Sequence, residues 1–109
     1  MTHLRSNALI CLGANQESTA GQPAQTLVSA LLNMPRKGLR VRAISRFYAT
    51  PSFPDNSAPE FVNAAVSVET LLSPPEILNV LHQIEQRFGR LREQRWGQRT
   101  LDLDLIAVG

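Results

Sequence analysis

The sequence predicts an α+β domain with the element order β-α-β-β-α-β. Three observations predict it. Short apolar runs, some alternating with period two, are bounded by Gly and Pro; two longer stretches repeat apolar residues at helical spacing; and the two kinds of segment are interleaved along the chain. With 109 residues, one domain covering 1–109 is expected, large enough to close a single core. Hydrophobic residues at 43% and charged residues at 18% are the values of an ordinary globular protein. No apolar run approaches the ~20 residues a membrane helix needs, so no membrane association is expected.

The first strand is "ALICLG" at 8–13, a continuous apolar run closed by Gly. The first helix is "PAQTLVSALLNM", in which Leu27, Ala30, Leu31 and Met34 share a face, Pro23 suits the first turn, and Pro35 with Gly38 ends the element. A second strand is read from Leu39 to Tyr48, with Leu39, Val41, Ala43 and Phe47 on one side and Arg40, Arg42 and Arg46 on the other. The stretch "TPSFPDNSAP" that follows has three prolines and several turn formers, so it is read as a loop, and the aromatic residues in and beside it, Phe53 and Phe61, suit binding.

"FVNAAVSVE" alternates again, with Val62, Ala64, Val66 and Val68 on one face and Asn63 on the other, which gives a third strand. The second helix opens on the capping box Ser73-x-x-Glu76 with Pro74 at its first position, and carries Ile77, Leu81, Ile84 and Phe88 as an apolar stripe up to Gly89. His82 falls on this helix beside Glu85. Residues 89–99 read as an Arg-rich loop and 100–108 as the fourth strand. This order is that of a ferredoxin-like core: an antiparallel four-stranded sheet with both helices on one face. That fold hosts enzymes, metal carriers and RNA-binding modules alike, so function has to be argued from the residues.

The N-terminal run lacks the basic leader, long apolar segment and cleavage site of a signal peptide, and the lone Cys11 has no internal disulfide partner; a cytoplasmic setting is the expectation. Net charge is +2, with ten Arg against one Lys, and Arg87, Arg90, Arg92, Arg95 and Arg99 crowd one segment. Guanidinium groups grip phosphates bidentately, so that segment suggests a phosphate-bearing partner, a solvated charged face being the alternative. No G-x-x-x-x-G-K-[ST] loop is present, and Cys11, His3 and His82 lack the spacing of a zinc site.

The segment "RTLDLDLI" is the most informative. In a strand, Leu101, Leu103 and Leu105 turn to one face while Asp102 and Asp104 project together from the other, their Cα atoms ~6.5–7 Å apart. The pair reads either as solvated charges matched to nearby arginines or as hard oxygen ligands for Mg²⁺ beside a phosphate. Trp96 sits in the polar loop as either a lid over the core or a platform for a planar heterocycle such as a purine or pterin. Phe53, Phe61 and Asn63 offer aromatic stacking and an amide that both donates and accepts, core packing being the alternative for Phe61. A small RNA-binding module is also compatible with the fold, but the two aspartates repel backbone phosphates and no aromatic pattern of that class appears, so no nucleic-acid partner is expected.

Taken together, "LGAN" at 12–15, "FYATP" at 47–51, "FVNAAV" at 61–66 and "GRLREQRWGQRTLDLDLI" at 89–106 resemble the 6-hydroxymethyl-7,8-dihydropterin pyrophosphokinase family of folate biosynthesis. The match runs in order along essentially the whole chain, and "RWGxRTLDLDL" is far more specific than a bare D-x-D. The resemblance implies an ATP-dependent pyrophosphokinase that transfers pyrophosphate from ATP to the pterin hydroxymethyl group, giving AMP and the pterin diphosphate, with two Mg²⁺ ions. It implies Asp102 and Asp104 as the metal ligands, and Thr50, Pro51, Phe53, Phe61 and Asn63 around the pterin with Trp96 against it. It further implies Glu85, Arg90, Arg92 and Arg99 facing the nucleotide and its phosphates, assisted by Arg95, with Arg90, Arg92, Asp102 and Asp104 as the catalytic group.

The sequence departs from the family's pattern at several points. "GAN" replaces G-S-N, Phe61 stands where Tyr is common, and His82 stands where a nucleotide-binding Gln is frequent. The family also continues past its D-x-D strand into a portion built around a pattern like H-x-x-x-x-x-R-x-F-V, which completes the ATP site and caps the pterin. Nothing in these residues matches that pattern. The implied alternative is a non-catalytic core that binds pterin or nucleotide weakly, or pairs with a chain supplying the missing wall.

Overall fold

The structure is a computed structural model that describes residues 4–51, 59–89 and 100–109. Strand β1 (Ser6–Ala14) is followed by helix α1 (Pro23–Asn33), a 3₁₀ turn (Pro35–Lys37), β2 (Arg40–Ile44), β3 (Tyr48–Thr50), β4 (Phe61–Thr70), helix α2 (Pro74–Arg87) and β5 (Asp102–Val108). The sheet is antiparallel throughout, in the order β2-β4-β1-β5, with β3 also pairing β4. This is the ferredoxin-like arrangement, with the two long strands β1 and β4 in the centre.

The local signals explain most of these elements. Pro23 starts α1, and Gln25 reaches back to accept the Gln22 N–H at 2.7 Å. The 3₁₀ turn ends at Gly38, whose φ of 91° lies in the left-handed region that favours glycine. At α2 both halves of the capping box form: Ser73 Oγ accepts the Glu76 N–H at 3.4 Å, and Glu76 Oε1 accepts the Ser73 N–H at 2.8 Å. The backbone N–H of Ser73, which contributes most, and the Ser73 side chain, both hydrogen-bonding to the exposed Glu76 carboxyl, hold it below its ordinary pKa.

Alternation along the strands divides the sheet into two faces. Ala8, Ile10, Leu12 and Ala14 of β1, Ala64, Val66 and Val68 of β4, and Leu101 and Leu103 at β5 are buried against the helices. The helices supply Leu27, Ala30, Leu31 and Met34 from α1, and Ile77, Leu81, Ile84 and Phe88 from the α2 stripe. Helix α1 lies over β1 and β4, and α2 over β5.

The segment expected as one strand from Leu39 to Tyr48 is two strands. A register irregularity between Val41 and Ala43 shifts the pairing with β4, so that Ala43 is opposite Ser67 and Ile44 opposite Val66. The period-two reading therefore fails after Val41: Ala43 is exposed. Between β2 and β3, Ser45 keeps contact with β4, donating its N–H to the Ala65 carbonyl and accepting the Ala65 N–H on its hydroxyl, both at 2.8 Å. Tyr48–Thr50 then pairs with the start of β4.

Candidate functional site

The face of the sheet away from the helices carries a pocket of about 230 Å³. Its floor follows from the register of three strands. Gly13 of β1 lies opposite Asn63 of β4 on one side and Asp102 of β5 on the other, and Cys11 lies opposite Ala65 and Asp104. Thr50 and Phe61, which are paired with each other, close the β3–β4 side. The aspartate wall thus stands across a side-chain-free glycine from an amide and an aromatic ring.

Gly13 matters here because a Cβ at that position would meet Asn63 Oδ1 at 3.1 Å, a tight contact. The missing side chain lets the Asn63 amide lie over β1. The other end of that amide is fixed: Asn63 Nδ2 donates to Thr50 Oγ1 at 2.8 Å, with longer approaches to the Tyr48 and Phe61 carbonyls at 3.4 and 3.5 Å. A planar ligand edge meeting this wall therefore finds a pre-oriented amide and a hydroxyl, the kind of convergent polar pair that sets orientation in small-molecule sites.

Asp102 is half-buried and Asp104 exposed, both on the open face as the leucine–aspartate alternation predicts. Glu85 stands at the outer edge of β5. Its Oε2 accepts the Leu103 N–H at 2.8 Å, from the residue between the two aspartates, while Oε1 lies 3.2 Å from His82 Nδ1. Pro51 is exposed just beyond β3. Phe53, Arg90, Arg92, Arg95, Trp96 and Arg99 lie outside the described residues. Among the described residues no group of three or more His, Cys, Asp and Glu side chains converges as a metal site.

Sequence reasoning missed Cys11, Gly13 and Asn15. Cys11 and Gly13 belong to the pocket only through their register with β4 and β5. Asn15 is buried and its Nδ2 donates to the Pro59 carbonyl at 3.0 Å, tying the end of β1 to the approach of β4. The available signal was a polar residue closing an apolar strand in "LGAN".

Two larger hollows, of about 490 and 420 Å³, lie elsewhere. The first is lined in part by Arg40 and Glu69, which pair with each other at 3.8 Å, and the second only by apolar residues of α1, the 3₁₀ turn, β2 and the link to β3. Neither joins paired carboxylates to an oriented amide.

Among the described residues, a ferredoxin-like sheet joins two carboxylates to an amide and an aromatic ring on the face away from its helices, which makes that face the candidate site for a small polar ligand. The particular family is shown by comparison: residues 9–109 match the 7,8-dihydro-6-hydroxymethylpterin-pyrophosphokinase family, and the chain belongs to it. A 2-amino-4-hydroxy-6-hydroxymethyldihydropteridine pyrophosphokinase of Methylorubrum extorquens is 39% identical over 94% of this chain and 63% of its own length. That of Haemophilus influenzae is 37% identical over 94% and 62%. That of Synechocystis sp. is 46% identical over 66% and 36%. The chain thus spans less than two thirds of the length of these relatives. No helix among the described residues is long and apolar enough to cross a membrane.

Proposed function

We propose that this chain forms the substrate-binding core of an enzyme that transfers pyrophosphate from ATP to 6-hydroxymethyl-7,8-dihydropterin, giving AMP and the pterin diphosphate. The observation that carries the proposal is the register that sets Asp102 across Gly13 from Asn63, with Asp104 two residues on along the same strand, opposite Cys11. On this reading the pterin stacks on Phe61 and presents its polar edge to Asn63 and Thr50, with Pro51, Phe53 and Trp96 completing its surroundings. Its hydroxymethyl group then points along the sheet toward the aspartates.

The donor set fits Mg²⁺: two carboxylates on one face, exposed enough to share a hard cation with water and phosphate oxygens. Asp102 and Asp104 would hold two such ions, which supply charge neutralisation along the triphosphate. Glu85, Arg90, Arg92, Arg95 and Arg99 are assigned to the nucleotide side. The hydroxymethyl oxygen attacks the β-phosphorus of ATP, the bond from that phosphorus to the α-phosphate oxygen breaks, AMP leaves, and the hydroxyl proton passes to solvent. The chain's part is to hold the two reactants in line and to offset phosphate charge.

Turnover of Mg-ATP with the hydroxymethylpterin, read as AMP formation, tests the proposal. No AMP from a folded chain that still binds the pterin in calorimetry would reject catalysis by this chain and leave the binding core. Binding of neither ligand would reject both.

A further inference from the structure

Helix α2 packs on the covered side of the sheet, yet Glu85 near its end reaches the strand that carries the two aspartates. Among the described residues β5 is the last strand in the sheet order, with β1 its neighbour. Leu103 lies opposite Leu12, and its N–H is given to Glu85 Oε2 at 2.8 Å. That N–H points away from β1, toward the side where a last strand has no ladder to hold it.

We propose that Glu85 is a positioning residue that clamps the peptide group between Asp102 and Asp104, and so keeps both carboxylates directed at the open face. This rests on the reading of the two aspartates as the ligand-bearing wall, and it gives Glu85 a role on the nucleotide side that is exerted through β5 rather than by touching the ligand.

The physical argument is local. The Leu103 N–H belongs to the peptide unit joining residues 102 and 103. Rotating that unit changes ψ at Asp102 and φ at Leu103, and with them the relative aim of the side chains at 102 and 104. A last strand is held by backbone hydrogen bonds on one side only, so this rotation is the soft motion available to it. A charged acceptor makes a stronger hydrogen bond than a neutral one, and Glu85 brings it from a helix anchored by its own buried Ile84. Leu101 and Leu103, packed in the core, fix the covered side of β5. The Glu85 bond fixes its outer edge. The second carboxylate oxygen is turned to His82, one helical turn back and 79% exposed at its side chain, so the carboxylate is held between helix and strand.

The test compares Glu85→Ala, which removes the acceptor, with Glu85→Gln, which keeps a carbonyl oxygen at the same reach. Two measurements are made on the full chain: hydrogen exchange of the Leu103 amide, and Mg²⁺-dependent binding of a non-hydrolysable ATP analogue beside binding of the pterin. In Glu85→Ala, Leu103 should exchange at least ~10-fold faster and the nucleotide analogue should bind ~10-fold more weakly, the usual scale for a group supporting metal ligands, with pterin affinity unchanged. Glu85→Gln should recover part of both losses together, because its carbonyl oxygen still accepts the Leu103 N–H but as a weaker, neutral acceptor. An unchanged Leu103 exchange rate in Glu85→Ala overturns the proposal. So does a Glu85→Gln variant that protects Leu103 but binds nucleotide as weakly as Glu85→Ala, because the carboxylate then acts on the ligand directly. If Glu85→Ala does not fold, Glu85→Asp, one methylene too short for the bond, replaces it. If the unaltered chain binds neither ligand, the proposed function fails on its own, and the Leu103 exchange rates still decide whether the clamp exists.

Discussion

On β1, Ala8, Ile10, Leu12 and Ala14 turn to the helices and are buried, whereas Cys11 and Gly13 between them turn to the pocket. On β5, Leu103 is buried while Asp102 and Asp104 face the opposite way. The same strands therefore serve two ends, residue by residue. Substitutions on the covered face should change stability and leave ligand affinity alone, and those on the open face should do the reverse.

The largest effect is expected on the covered face. Ile10 is fully buried, and Ile10→Ala should cost about 2–5 kcal/mol in denaturant unfolding. The fraction that remains folded should bind pterin with unchanged affinity, and a parallel loss of affinity would blur the division. Next, Asp102→Ala combined with Asp104→Ala should weaken Mg²⁺-dependent binding of nucleotide on the order of 100-fold in calorimetry, with little change in melting temperature. Unchanged Mg-ATP affinity would sink the metal assignment.

A smaller effect tests the floor of the pocket. In Gly13→Ala the new Cβ presses on Asn63 Oδ1 at 3.1 Å, so the amide has to give way. Pterin affinity should fall roughly three- to tenfold, the worth of one hydrogen bond. Equal affinity would mean that Asn63 is not used. The smallest effect lies at the start of α2. Because Glu76 titrates below its ordinary value in the folded chain, it adds stability at neutral pH that is lost as pH falls through its folded pKa. Glu76→Gln should flatten the stability profile as pH falls below the ordinary value of 4.5 and leave binding untouched, which urea titrations at acidic pH would show.

How much of this was legible in the sequence depended on whether a signal was local. The start of α2 was, because Ser73, Pro74 and Glu76 act within one turn. The two-faced character of β5 was, because leucine–aspartate alternation is a property of one strand. The break of the second strand was not: neither Gly nor Pro marks the shift after Val41, and the bonds of Ser45 that bridge it depend on Ala65, twenty residues on. Cys11 and Gly13 were invisible as pocket residues for the same reason, since only the pairing of β1 with β4 and β5 brings them beside Asn63, Asp102 and Asp104. The amide end of Asn63 and the Glu85–Leu103 bond likewise join elements that the sequence keeps apart.

The irregular pairing of β2 has a consequence for how the molecule behaves in a crowd. Among the described residues this strand ends the sheet on the side away from β5, and such an end is a template on which a second molecule's strand could add. Here the template is spoiled. The register shift after Val41 breaks its repeat, and the exposed guanidinium groups of Arg40 and Arg42, each only 3.8 Å from the one Glu69 carboxylate, leave surplus positive charge along it. An incoming copy would bring the same arginines to the same line, so self-repulsion guards this border against aggregation, most strongly at low ionic strength where nothing screens it.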